Sequence, residues 1–354
     1  MIPQDKTHAV SHALHDAFGA VEIEDIRPMP AGLGSDLAFR IVVKGSPFLL
    51  KIMTRIDERN DPRRIFPAMQ AAAEAGLSPR VWHANVENGI SITDFIETVP
   101  LPISEALVRI PDALRTLHAL PPFPKTFNYV TAHNGFIWRL RTSNLLPGNE
   151  VEETFTQYEK VCAVYPRLES DMVSSHMDLK PENILFDGRR LWLVDWQAAF
   201  LNDRYFDLAV AANFVLTNDA AESVYLQRYF DQPPGEYQLA RFFLMRQAMH
   251  MFYAAVFLLL GSAGKPVNQS EELPAFQDFH QRIWAGQVNL ADNRMKTVYG
   301  RVHWRQLVEN LRKPRLNEAL TIVSNRHASP EATRLLPSAA PTPRPTCAPP
   351  PGAA

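Results

Sequence analysis

One short segment of the chain holds residues able to do chemistry together. His176-Met177-Asp178-Leu179-Lys180-Pro181-Glu182-Asn183 is a polar loop that runs into the apolar triplet Ile184-Leu185-Phe186. Asp187-Gly188 follows as a tight turn, and Leu191 to Val194 forms a return strand that ends on Asp195-Trp196. Two apolar runs joined by Asp-Gly predict a β-hairpin. Such a hairpin leaves Asp178, Asn183 and Asp195 near the mouth of one pocket. Two carboxylates and an amide oxygen are hard donors, and as a set they suit Mg²⁺. A carboxylate left off the metal can accept a proton from an attacking hydroxyl. The bland alternative for the same residues is a polar hairpin whose acids are solvated or serve as caps.

The elements that must position this loop begin far upstream. Val10, Ala13, Leu14 and Phe18 recur at helical spacing, so Thr7 to Phe18 is expected to be a helix that stops at Gly19. Val21 to Arg27 begins a strand, Met29 to Asp36 is turn-rich, and Leu37 to Val43 and Phe48 to Met53 read as two more strands around a turn at 44–47. Gly32 and Gly34 match the first two glycines of G-x-G-x-x-G, with Leu37 at the third position. Glycines there let backbone N–H groups approach phosphate oxygens, and Ser35 adds a hydroxyl. An ordinary hairpin turn reads the same way. Lys51 stands inside Leu49-Leu50-Lys51-Ile52, where a cation needs an anionic partner unless the strand is a solvated edge.

The spacing H-x-D-x-x-x-x-N, followed by a strand-borne Asp, is the arrangement of kinase catalytic loops. Ser175 to Asn213 resembles the catalytic segment of the aminoglycoside phosphotransferase and choline kinase superfamily. Asp195-Trp196, Asn202-Asp203 and Phe206-Asp207-Leu208-Ala209 look most like the bacterial choline kinase branch, and Leu117-His118-Ala119-Leu120-Pro121 also resembles the superfamily. The resemblance implies a bilobal α+β fold of protein-kinase type, with an N-terminal antiparallel-sheet lobe and a larger helical C-terminal lobe. It implies ATP and Mg²⁺ as cofactors and a small-molecule alcohol as acceptor. Asp178 would be the catalytic base, Asn183 and Asp195 the magnesium ligands, and His176 a structural brace for the loop. Lys51 would hold the α- and β-phosphates under Gly32, Gly34 and Ser35. Asp94 to Thr98 would be the hinge, where backbone groups such as those of Asp94 and Ile96 meet adenine. Asp207 would be a structural acid that accepts loop N–H groups at a helix N-terminus.

Three departures qualify the resemblance, and one further feature sets the family apart from the protein kinases. The family usually carries a glutamate on the helix after the lysine strand, and its place falls near Ile65, where no acid stands. Glu58, Asp61 and Glu74 are then the candidate partners of Lys51, unless the lysine pairs only with phosphate. Gln197 stands where choline kinases typically have a glutamate. The late helix that boxes a quaternary ammonium in choline kinases carries Phe252, Tyr253 and Phe257 but no tryptophan, which reads as core aromatics. Only eleven residues separate Asp195 from Asp207, with no D-F-G and no A-P-E. A platform for a protein substrate is therefore missing, and a protein kinase is disfavoured. A nucleotide-binding pseudokinase that acts as a scaffold is the rival reading.

Composition sets the outer bounds. The chain has 354 residues, 46% hydrophobic and 21% charged, which is a globular composition with room for two lobes. A net charge of −2 gives no electrostatic case for nucleic acid or an anionic membrane. Cys162 and Cys347 form no framework, as expected of a cytoplasmic protein. The apolar run from about Met251 to Gly261 is too short to span a bilayer, which needs about 20 residues, and reads as a buried helix. The expected divisions are 1–97 for the ATP-binding lobe, 98–323 for the catalytic and acceptor lobe, and 324–354 for a disordered Pro/Ala-rich tail. Residues 123–147 read as loop, and helices are expected at 65–75, 110–120, 152–168, 223–230, 238–260, 276–289 and 299–312.

Overall fold

A computed structural model of the chain describes residues 2–19, 22–29, 36–58, 60–125, 129–146, 148, 150–268 and 270–328. Gly32, Gly34, Ser35 and the Pro/Ala-rich tail from 329 onward lie outside the described residues. The chain divides into two compact units, Met1–Pro124 with Val173–Asn202, and Lys125–Met172 with Asp203–Ala354.

The first unit is built on a five-stranded antiparallel sheet. Its strands are β1 (Asp25–Pro28), β2 (Leu37–Val43), β3 (Ser46–Ile52), β4 (Val81–Asn85) and β5 (Ile90–Asp94), in the spatial order β1-β2-β3-β5-β4. Helix α1 (Thr7–Phe18) buries Val10, Ala13 and Leu14 against Phe39, Ile41, Leu50, Ile52, Ile90 and Ile92. Gly19 closes α1 at φ +64°, donating its N–H to His15, in the left-handed conformation that glycine adopts without strain. Strand alternation does the rest. Phe48, Leu50 and Ile52 are buried, so Lys51 points to the other face of the sheet, opposite Ala38 on β2 and Ser91 on β5. Helix α2 (Pro62–Glu74) starts three residues earlier than its expected range, with Asp61 as its cap. Helix α3 (Ile103–His118) completes the upstream part of this unit.

The chain returns to the first unit for the polar loop. Strand β6 (Met172–Ser175) leads into it, β7 (Ile184–Phe186) and β8 (Leu191–Leu193) leave it as an antiparallel hairpin, and β9 (Phe200–Asp203) pairs with β6. Asp187 fixes the hairpin turn, its Oδ1 accepting the N–H groups of Arg189 and Arg190 at 2.8 and 2.7 Å.

The second unit is helical: α4 (Tyr129–Thr142), α5 (Glu150–Val164), α6 (Arg204–Val215), α7 (Asp219–Phe230), α8 (Glu236–Gly261), α9 (Phe276–Trp284), α10 (Asn293–Leu311) and α11 (Pro314–Ala328). Helix α4 occupies a stretch expected to be loop, and α11 carries helix into residues expected to belong to the tail. Helix α8 is the axis, packed against α4, α5, α6, α10 and α11. It is long and apolar enough to cross a membrane by length and composition, but most of it is buried in this core. Two glycines let α8 and α10 touch backbone to backbone. A Cβ on Gly300 would lie 2.8 Å from the Leu258 amide nitrogen, and one on Gly261 would lie 2.6 Å from that of Thr297.

Candidate active site

The polar loop is held by its own first residue. His176 is fully buried between β6 and the hairpin. Its Nε2 donates to the Val194 carbonyl at 2.9 Å, its Nδ1 accepts the Asp178 N–H at 3.4 Å, and its ring lies 4.7 Å from the Trp196 ring. These contacts tie the start of the loop to the end of the hairpin. Trp196 is itself pinned by its Nε1–H, which donates to the Ser78 hydroxyl at 3.0 Å. The Ser78 hydroxyl in turn donates to the Leu193 carbonyl at 2.8 Å.

Asp178 and Asn183 meet across the loop. The Asn183 Nδ2 group donates to the Asp178 carbonyl at 2.8 Å and to Asp178 Oδ2 at 3.0 Å. Both amide hydrogens are then spent, and Oδ1 is the atom left to face a cation. Lys180 closes on the same carboxylate, with Nζ 3.0 Å from Oδ2. Burial works against the Lys180 cation, but the Asp178 charge and hydrogen bond outweigh it and raise its pKa. Asp178 stays partly open, its side chain 37% exposed.

Asp195 follows β8 with φ +67°, and the Val194 N–H donates to the Asn183 carbonyl at 3.0 Å. The second strand of the hairpin is thereby tied to the end of the loop, next to Asp195. Lys51 reaches Asp195 Oδ1 at 2.9 Å. Burial alone would raise the Asp195 pKa, but the Lys51 charge and hydrogen bond, with Lys180 behind them, leave it below the usual carboxylate range. The anionic partner that Lys51 requires is therefore Asp195, with Asp36 Oδ2 at 3.6 Å as a second. Among the earlier candidates, Asp61 is occupied as the α2 cap and by Arg63. The helix position expected to carry an acid is flanked by Arg64, whose buried guanidinium donates to the carbonyls of Gln197 and Ala199, each at 2.8 Å.

A phosphotransferase model named "Phosphotransferase enzyme family" matches residues 25–243, well over half of the chain. The chain belongs to the phosphotransferase enzyme family. Protein LicA of Haemophilus influenzae is 24% identical to this phosphotransferase over 228 residues, which cover 59% of the chain and 65% of LicA. The match thus spans just under two thirds of that relative's length. Among solved structures, a choline/ethanolamine kinase family protein from Mesorhizobium loti aligns with a TM-score of 0.64 at 19% identity. That alignment covers 90% of the chain and 98% of the other protein. The ternary complex of APH(2″)-IIa with streptomycin and ATP aligns with a TM-score of 0.52 at 16% identity, over 75% and 93% of the two chains. The fold is the kinase-like one expected from the sequence, an antiparallel-sheet N-terminal lobe and a larger helical C-terminal part.

In this phosphotransferase Asn183 and Asp195, the residues the resemblance assigns to magnesium, have the chemistry to fit such an ion. Asn183 Oδ1 and the ionised Asp195 are hard oxygen donors, and Mg²⁺ accepts one or two protein ligands completed by phosphate and water. Among the described residues no three His, Cys, Asp or Glu side chains form an all-protein metal cage. At the expected hinge, the Asp94 N–H is committed to the Arg80 carbonyl at 3.0 Å, and its carboxylate takes the Trp82 Nε1–H at 2.7 Å. Ile96 lies just past the end of β5 in irregular chain.

The cap of α6 is Asp203, whose carboxylate accepts the Tyr205 N–H at 2.9 Å. Asp207 lies one turn further on, fully buried in α6. The capping acid is the one adjacent to the strand end because helix φ/ψ begins at Arg204. In the second unit, Phe252 stacks on His133 at 3.6 Å, and Tyr253 stacks on Phe257 at 6.0 Å and on His303 at 5.0 Å. These rings pack on protein neighbours, as core aromatics do.

Two polar residues at the site gave no local signal in the sequence. Asp36 and Arg64 act through partners 161 and 133 positions away, Gln197 in both cases. An acid directly after a glycine loop, and the arginine pair Arg63-Arg64 just before the expected helix, were the available hints.

Proposed function

We propose that the chain transfers the γ-phosphoryl group of ATP to a hydroxyl of a small molecule, with choline-like amino alcohols as the first acceptor class and aminoglycosides or sugars next. The observation that carries this reading is the pairing of Asp178 with Asn183 on the same hairpin whose far strand delivers Asp195 to Lys51. Membership of a phosphotransferase family supports it, as does the likeness to a choline/ethanolamine kinase family fold. In the proposed step the acceptor oxygen attacks the γ-phosphorus and its proton passes to the Asp178 carboxylate. The bond from the γ-phosphorus to its bridging oxygen breaks, and ADP leaves. Lys51 holds the α- and β-phosphates, the loop around Gly32, Gly34 and Ser35 covers them, and the hinge that includes Asp94 and Ile96 takes the adenine. Mg²⁺, held by Asn183 and Asp195, would neutralise phosphate charge when bound. Lys180 keeps a positive charge beside Asp178, and His176 fixes the loop that carries both. The reaction then depends on positioning and charge more than on covalent chemistry. The same reading places the chain in the cytoplasm, with no nucleic-acid or membrane partner.

The test is phosphate transfer from ATP to a panel of choline, ethanolamine, aminoglycosides and sugars. Asp178→Asn should bind ATP within about threefold of the wild type and lose transfer by about 10²–10⁴-fold. Wild-type transfer by that variant removes Asp178 as the base. Tight ATP binding with no transfer to any acceptor favours the scaffold reading instead.

A further inference from the structure

The site contains a polar chain that the proposed reaction does not itself require. Arg64 on α2 donates to the Gln197 carbonyl, the Gln197 Nε2 group donates to Asp36 Oδ2, and Asp36 Oδ2 lies 3.6 Å from Lys51 Nζ. Lys51 is bonded in turn to Asp195 at 2.9 Å. All five residues belong to the first unit. We propose that Asp36 is the positioning residue for Lys51. It takes the part that a helix-borne glutamate plays in the related kinases, and Gln197 is the residue that sets it. This rests on the proposed nucleotide reading of the site.

Three observations support the assignment. First, the register places Asp36 correctly. Ala38 is the cross-strand partner of Lys51, and Asp36 stands two residues before it, in line with the same sheet face. A carboxylate there is a diagonal neighbour of the Lys51 side chain. Second, Asp36 is enclosed, with a side chain only 10% exposed, so its charge acts on Lys51 through protein more than through water. Third, the chemistry of residue 197 matches that of residue 36. A carboxylate at 197 would meet the Asp36 carboxylate at hydrogen-bond distance and repel it, whereas an amide donates. Arg64 fixes the backbone of 197 and so the reach of its side chain. The arginine stands beside the position where a glutamate was expected, which closes that route to Lys51 and leaves Asp36 in its place. Without Asp36, Lys51 would be free to turn fully onto Asp195, the residue proposed to hold magnesium.

The experiment uses the full chain and an acyl-phosphate derivative of ATP, which acylates a lysine held against the nucleotide phosphates. Mass spectrometry reads Lys51 modification in the wild type, Asp36→Ala, Gln197→Glu and the double variant Asp36→Asn/Gln197→Glu. The expected result is a drop of about tenfold in Lys51 labelling for each single variant. The double variant restores a hydrogen bond between residues 36 and 197 but carries no charge at 36, so its labelling should stay about tenfold below the wild type. The KM for ATP should move with labelling more than kcat does, and thermal melting of the double variant should match that of Gln197→Glu within a few degrees. Wild-type labelling with an indifferent Asp36→Ala overturns the inference alone, and so does a double variant that labels like the wild type. A wild-type Lys51 that the probe leaves untouched overturns the nucleotide reading, and the inference falls with it.

Discussion

Asp195 occupies a backbone conformation that an L-residue adopts at a cost. Its φ of +67° is left-handed, and Met177 in the polar loop has φ +69°. Outside glycine, that region costs about 1–2 kcal/mol, and Asp and Asn tolerate it best because their short side chains bond locally. The strain turns the carboxylate toward Lys51, and the ion pair with Lys51 offsets it. Two substitutions separate these contributions. Asp195→Asn keeps a residue that accepts the conformation and removes only the charge. Asp195→Ala removes the charge and adds the backbone penalty, so it should be less stable than Asp195→Asn by about 1 kcal/mol in urea unfolding. Both should lose phosphate transfer. The pH dependence has a definite sign. The folded pKa of Asp195 lies below its unfolded value, so its contribution is fully present above the usual carboxylate range and is lost as pH falls through the folded pKa. The stability difference between wild type and Asp195→Asn should therefore be constant from pH 8 to about pH 5 and shrink below pH 4. A difference that instead grows on acidification would reverse the assignment of the charge partner.

At the scale of elements, helix α2 shows how a local reading falls short. Its boundaries follow from residues near in sequence: Asp61 caps it, Pro62 opens it, and Gly76 stands just beyond its end at φ +73°. Its function follows from Arg64, whose partners are carbonyls of the turn after Asp195. Arg64→Ala should leave those two buried acceptors without donors and cost about 2–4 kcal/mol. Arg64→Glu, which installs an acid beside the place where the family carries one, should be worse than alanine because a carboxylate would face two carbonyl oxygens. Equal stability of the two variants, read by urea unfolding, would mean that Arg64 does not hold the turn. The same contrast decides what the sequence alone could reveal. The hairpin and its acids were legible because Asp178, Asn183 and Asp195 lie within one short segment and Asp187-Gly188 dictates the turn. Helix α1 and strand β2 were legible through unbroken periodicity. Helix α4 was not, since Val130, Thr131, Gly135 and the aromatic residues of its sequence are weak helix formers. Packing on α8 supplies what propensity lacks. Asp36 and Arg64 escaped for a related reason, because their meaning lies in contacts that only the folded sheet creates.

Over the whole molecule, the two units differ in how they meet acid. The core of the second unit buries three histidines together, His250 on α8, His280 on α9 and His303 on α10. The Nδ1 atoms of His250 and His303 lie 3.1 Å apart, and His280 Nδ1 bonds the Phe276 carbonyl at 2.8 Å. Their Nε2 atoms have no hydrogen-bond partner among the described residues. Burial, with the nearby Arg246 cation, pushes His280 down to about 3, and His250 and His303 also lie well below the ordinary imidazole value. The folded state therefore keeps these rings neutral where the unfolded chain would protonate them. Above about pH 7.5 neither state is appreciably charged and the cluster adds little pH dependence. Below that pH the unfolded state binds protons that the folded state refuses, so stability falls as pH falls, down to the folded pKa values. Each ring contributes up to about 1.4 kcal/mol per pH unit in that window. Hydrogen exchange resolved by segment should show the amides of α8, α9 and α10 losing protection between pH 6.5 and pH 4. His280→Phe is expected to be less stable at pH 8, because the ring hydrogen bond to the Phe276 carbonyl is lost. Its pH slope should nevertheless be shallower than the wild type by about one proton, since one of the three refusing rings is gone. An unchanged slope would mean that His280 is protonated in the folded state, and the neutral cluster would have to be redrawn with a charge inside it.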